Sequence, residues 1–185
     1  MKKYLVFGFL LCMFLVSCDS DDSVEQAKEL SVQQFRAAGI ENMENDALFA
    51  AEAASANMLL VQLSEAAINR GVSPEVKSFA QRAENTHTQL NNELQEMAGQ
   101  SNLVLPKTLG KNDQDIYEDL LEKEGIAFDV EFIRVMRNQH RELLKRYEDI
   151  SEHGKSMEVK QFASRQLPLL RQHSEAADRL EEKID

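Results

Sequence analysis

The chain has no tryptophan, only two cysteines and three prolines, and too little base for its acid: 21 lysines and arginines stand against 32 aspartates and glutamates. Each scarcity excludes something. A net charge of −11 argues against nucleic acid as a partner, since a phosphate backbone is held by concentrated cationic side chains. There is no zinc-spaced cysteine pair, no glycine loop to cradle phosphate and no nucleophile in a triad-like setting, so hydrolase readings have no footing. Strand-like alternation is also missing, while Ala, Leu, Glu and Gln abound, and the fold class is read as all-α.

The two cysteines both fall in the opening segment MKKYLVFGFLLCMFLVSC. Two lysines, an apolar run from Tyr4 to Val16 and a small residue before Cys18 have the layout of a signal peptide, and the run is short for a bilayer span. Leu15, Val16, Ser17 and Cys18 resemble the bacterial lipobox, which implies cleavage before Cys18 and lipid on its sulfur. Residues 1–17 are thus expected to be a lipoprotein signal peptide, and Cys18 the lipidation site. Cys12 would leave with that peptide, so the mature chain would hold no disulfide and must be stabilised by burial. Two or more acyl chains make such an anchor stable. The expected address is the cell envelope, at the outer membrane, facing the periplasm or the cell surface, with the membrane touched only through the anchor.

Behind Cys18 comes DSDDSVEQAKELSVQQ, polar and acidic, and residues 18–43 are expected to form a flexible tether. Acidic residues directly after the cysteine also resemble the export signal of surface lipoproteins in Bacteroidota-type bacteria.

Residues 44–185 are expected to form one helical domain. A first helix is predicted over about 45–70, with Phe49, Ala53, Ala56, Leu60, Leu63 and Ala67 on one face and Gly71 as its stop. Ser73 as N-cap and Pro74 at the first position open a second helix, with the stripe Val76, Ala80, Ala83, His87, Leu90, Leu94, Met97, ended by Gly99. A long connection with a short helix over 113–123 precedes a third helix over 128–153, with Ile133, Met136, His140, Leu143, Tyr147 and Ile150 inward. A fourth follows Ser156, with Val159, Phe162, Gln166, Leu169, His173, Ala176 and Leu180 inward and a kink expected at Pro168.

The octet EVKSFAQR at 75–82 returns as EVKQFASR at 158–165. It marks the start of the second helix in each of two hairpins. One-sided apolar stripes cannot be buried alone, and short turns within hairpins with a long link between them suit a four-helix bundle.

Three of the four histidines, His87, His140 and His173, fall on core stripes of different helices. Converging neutral imidazoles suit iron, zinc or copper. Helix two also supplies Glu84, three residues before His87, as a ferritin-like carboxylate site would require; no carboxylate stands at that spacing before His140 or His173. His173 lies three residues further along its helix than His87, a displacement of about 4.5 Å. The alternative is that each ring is buried neutral, bonded to a backbone carbonyl or to Gln62, Gln139, Thr86 or Glu84. His153 is expected to cap carbonyls at the end of helix three.

DALFAAEAASANM (46–58), SPEVKSFAQR with His87, AFDVEFIRVMRNQH (127–140) and EVKQFASRQLPLLRQH (158–173) together resemble the bacterial family known as domain of unknown function 4142, grouped with ferritin-like helical bundles. The resemblance spans roughly 46–180. The family commonly has acidic residues just before its first two histidines and another in helix one, where this chain reads Thr86, Gln139 and Leu60 or Gln62. The resulting expectation is a lipid-anchored envelope protein, non-enzymatic, serving as a binding or structural module with a possible link to stress. The alternative is a metal-binding or redox protein using His87, His140, His173 and Glu84.

Overall fold

Two short turns of the same design organise the chain. In the computed structural model, which describes residues 22–183, six helices follow one another: α1 (Ser23–Ala37), α2 (Glu44–Arg70), α3 (Pro74–Gln100), α4 (Lys111–Leu121), α5 (Gly125–His153) and α6 (Met157–Glu181). There is no strand among the described residues. The expected signal peptide and Cys18 lie outside them.

At the α2–α3 turn the Ser73 hydroxyl accepts from the backbone N–H groups of Glu75 and Val76, and at the α5–α6 turn Ser156 accepts from that of Val159. These side chains satisfy amides that a helix start leaves without an intrahelical partner. Each turn is then clamped by an aspartate from the other hairpin. Buried Asp129, at the start of α5, accepts from Val72 N at 3.1 Å and Ser73 N at 2.7 Å. Buried Asp46, at the start of α2, accepts from Lys155 N at 2.9 Å and Ser156 N at 2.7 Å. Gly71 and Gly154 sit where these clamps close. A Cβ at Gly71 would lie 2.6 Å from the Ala67 carbonyl and 3.2 Å from Asp129, and one at Gly154 would lie 2.7 Å from the Ile150 carbonyl.

The long helices pack α2 on α3 and α5 on α6, and the pairs meet through α2 with α5 and α3 with α6. Side chains from all four fill the centre. Phe49 meets Tyr147 edge-on with centroids 4.9 Å apart, and Phe79 meets Phe132 at 6.2 Å. Each fully buried phenylalanine or leucine contributes roughly 1.5–3 kcal/mol relative to an exposed one. α2 touches α1, α3, α4 and α5. Its many alanines, Ala47, Ala50, Ala51, Ala53 and Ala54 among them, are buried because small side chains let several neighbours approach one helix.

Four expectations need correction. The segment expected as a flexible tether over 18–43 contains α1, which is capped by Asp22 accepting from Val24 N at 2.9 Å. α1 lays Ala27, Ser31, Val32 and Phe35 against the rest of the chain. Ser31 Oγ bridges it to the connection, donating to the Ala27 carbonyl and accepting from Val104 N at 2.8 Å. The stripe was hidden by its small and polar members, and only Val32 and Phe35 are large.

Gly99 does not end α3, which runs on to Gln100; the chain turns instead at Asn102, with φ +54°. α6 passes through Pro168, and beyond it Leu170, Ser174 and Ala177 are buried where Leu169, His173 and Ala176 were expected. A straight helix returns to the same face every 3.6 residues rather than 3.5, which favours Leu170 and Ala177 over Leu169 and Ala176 on the line from Val159, while Leu180 is buried as expected. His153 does not cap carbonyls; its Nδ1 pairs with Asp149 on the exposed side of α5, 3.1 Å away.

Candidate metal centre

The stripe of α3 places His87 between buried Ala83 and Leu90, and that of α5 places His140 between Met136 and Leu143. Both rings are wholly buried. His173 reaches the same point from α6. It is only half-buried as a residue, yet its Nδ1 is shielded from solvent and has no partner. One ring nitrogen from each of the three histidines lies within 4.8 Å of the others. The His87 and His140 centroids are 5.0 Å apart, and the His140 and His173 rings stack at 5.6 Å with 14° between planes. The three-residue register difference is therefore absorbed by the packing, and the rings meet.

The surrounding bonds decide which nitrogens are free. His140 Nδ1 lies 2.6 Å from the Met136 carbonyl, which can only accept, so this nitrogen carries the proton and Nε2 bears the lone pair. His87 Nδ1 lies 2.9 Å from Asn57 Oδ1; with the amide in this orientation the oxygen accepts, Nδ1 carries the proton and His87 Nε2 also bears a lone pair. These two Nε2 atoms face each other at 3.0 Å. Two lone pairs so close repel unless a positive charge lies between them. A metal ion about 2.0–2.1 Å from each imidazole nitrogen keeps such a pair about 3 Å apart. His173 Nε2 and Thr86 Oγ1 are 3.0 Å apart, which leaves Nδ1 as the nitrogen this ring has to offer.

A proton is a poor occupant. Burial pushes His87 well below the usual imidazole range, and the His140 and His173 rings push the same way. Burial brings His140 to about 4, against a smaller upward pull from the Met136 carbonyl. His173 is lowered by burial and by the Arg82 guanidinium. The triad is therefore a neutral donor set at neutral pH, which is the form that binds metal.

Second-sphere partners fix two of the ligands, as they do in histidine metal sites generally. Asn57, fully buried on α2, orients His87, and the Met136 carbonyl orients His140. Asn57 Nδ2 and the hydroxyl of buried Tyr147 have no hydrogen-bond partner. Burial holds that phenol protonated far above its usual range.

Of the expected site residues, His87, His140 and His173 come together and Glu84 does not. Glu84 accepts from Gln81 Nε2 at 2.5 Å at the surface of α3. Of the partners expected for the rings, Thr86 and a backbone carbonyl serve. Asn57 was missed, although the repeated octet, extended backwards, sets Asn57 of α2 against His140 of α5. A cleft of about 550 Å³ between α3 and α6 is lined by Phe79, Arg82 and Gln172. None of the three histidines lines this cleft; Phe79 at its wall lies 6.4 Å from the His140 ring.

A family model described as "Domain of unknown function (DUF4142)" matches residues 31–180. No curated protein and no solved structure matches the chain.

Proposed function

We propose, for a chain that belongs to the DUF4142 family of unknown function, that it is a metal-ion-binding protein of ferritin-like four-helix-bundle architecture, held at the cell envelope by a lipid on Cys18. The observation that carries this reading is the pair of Nε2 atoms of His87 and His140, turned towards each other at 3.0 Å with His173 beside them. A binding module needs no catalytic group, and none is assigned. The ligands are His87, His140 and His173, and the metal is drawn from iron, zinc and copper.

The anchor rests on the sequence layout up to Cys18. With α1 starting at Ser23, residues 19–22 reach at most about 14 Å when extended, so the helical body sits close to the bilayer rather than at the end of a long leash. A shift in precursor size when lipoprotein signal peptidase is blocked tests the anchor.

One observation favours a purely structural role instead. Turning the Asn57 amide over lets Nδ2 donate to His87 Nδ1, His87 Nε2–H donate to His140 Nε2, and His140 donate to the Met136 carbonyl. That one-way chain satisfies both buried rings without an ion. Metal analysis of the full chain, purified in mild detergent from metal-replete cells, separates the readings. The metal reading requires close to one equivalent, lost in His87→Ala and His173→Ala. Less than about a tenth of an equivalent in the unaltered chain rejects it, since a three-ligand site should retain its ion.

A further inference from the structure

Resting on the metal-binding reading, we infer that the ion this triad is built for is monovalent copper, Cu(I), rather than a divalent ion. The ligands are three neutral imidazoles. Among the described residues, no carboxylate or thiolate joins the cluster of donor atoms that these three rings form. Glu84, the carboxylate the spacing suggested, faces away and holds Gln81. Glu93 is engaged by Gln166 Nε2 at 2.6 Å and acts on Tyr147, not on the triad.

Transferring an ion into a poorly polarisable interior costs free energy that grows as the square of its charge, so a divalent ion costs about four times what a monovalent one does. Buried divalent sites meet that cost with carboxylate or thiolate ligands or with a metal-bound hydroxide, and these three imidazoles bring no negative charge of their own. A divalent ion here would have to draw in an anion beside His87 and His140, both without solvent exposure. Hard monovalent cations gain little from imidazole nitrogen. Cu(I) combines a single charge with affinity for imidazole and accepts two or three ligands. His173, half-buried while His87 and His140 are wholly buried, is where the ion would enter.

The test measures two affinities on the full chain in mild detergent. Cu(I) is titrated anaerobically under reductant against a chromophoric Cu(I) chelator, and Zn²⁺ against a chromophoric Zn²⁺ chelator. Cu(I) should bind at one per chain and more tightly than Zn²⁺ by about a hundredfold or more. His173→Ala, whose side chain is only half-buried, should weaken Cu(I) by about tenfold or more with the helical melting transition retained. Asn57→Asp places a carboxylate behind His87 and should raise Zn²⁺ affinity more than Cu(I) affinity. Zn²⁺ binding as tightly as Cu(I) through the same histidines overturns the copper inference and leaves the metal centre standing. Equal gains for both ions in Asn57→Asp overturn it too. Binding of neither ion removes the metal centre itself.

Discussion

The α2–α3 hairpin and the α5–α6 hairpin are alike at their turns and unlike in their middles. At the turns, Gly71, Ser73, Glu75 and Val76 answer to Gly154, Ser156, Glu158 and Val159, and Asp129 and Asp46 clamp the opposite hairpin. In the middle, Asn57 stands against His140, Ser64 against Tyr147, His87 against Leu170 and Leu90 against His173. The turns must satisfy backbone amides, a demand that is the same in both copies and tolerates few solutions. The middles only have to fill space, so one copy can keep leucine where the other carries imidazole. That freedom lets a near-symmetric frame hold an asymmetric cluster.

The largest effect should come from breaking the shared part. Asp46→Ala and Asp129→Ala each leave buried turn amides without an acceptor, and each should cost about 3 kcal/mol in urea unfolding. The clamps stand at opposite ends of helices of about 25 residues, some 37 Å apart at 1.5 Å per residue, so the double variant should be additive within about 0.5 kcal/mol. Marked non-additivity, or a large cost for one and none for the other, breaks the equivalence of the two turns.

Making the middles more alike comes next. His87→Leu copies its counterpart Leu170 and should abolish metal binding while changing stability by about 1–3 kcal/mol, the cost of leaving Asn57 without its buried partner. Retained metal in this variant would remove His87 from the centre.

The pH dependence of the metal-free protein sharpens the contrast further. The folded-state values of His87 and His140 lie below the unfolded value near 6.5, His140 at about 4. The unfolded chain therefore takes up protons first, and stability should be full above about pH 6.5 and fall as pH drops towards 4. Each histidine contributes up to about 1.4 kcal/mol per pH unit. Thermal melts across that range check the sign, and His87→Leu should make the slope shallower.

Tyr147→Phe should have the smallest effect, a change of less than about 1 kcal/mol, because the hydroxyl it removes is buried and unpartnered. A larger loss would show that the phenol does hold Asn57 in place.

Much of the frame was legible before any coordinate. Ser73–Pro74 and Ser156 carry helix starts in their own chemistry, and the stripes of α3 and α5 are buried as read, His87 and His140 included. α1 was not legible as a docked helix, since three of its contact residues are Ala27, Ser31 and Val32, whose burial depends on what lies opposite. The shift of the buried line beyond Pro168 came from applying a heptad rule to a helix that is not a coiled coil. In the site, the three histidines could be found by spacing but not their partners. Asn57 lies thirty residues before His87 on another helix, and Glu84 had the expected spacing without the expected direction.

What the sequence alone determined is what short-range physics decides: an all-helical chain, two matched hairpins, their caps, and three imidazoles on inward faces. Only the tertiary structure decided that those imidazoles share one point, that two of them turn their Nε2 atoms on each other, and that among the described residues no carboxylate joins them. The reason is physical. Helix periodicity fixes which way a side chain faces from its own axis, whereas the axial slide and tilt of one helix against another, set by the whole core, fix what it meets there.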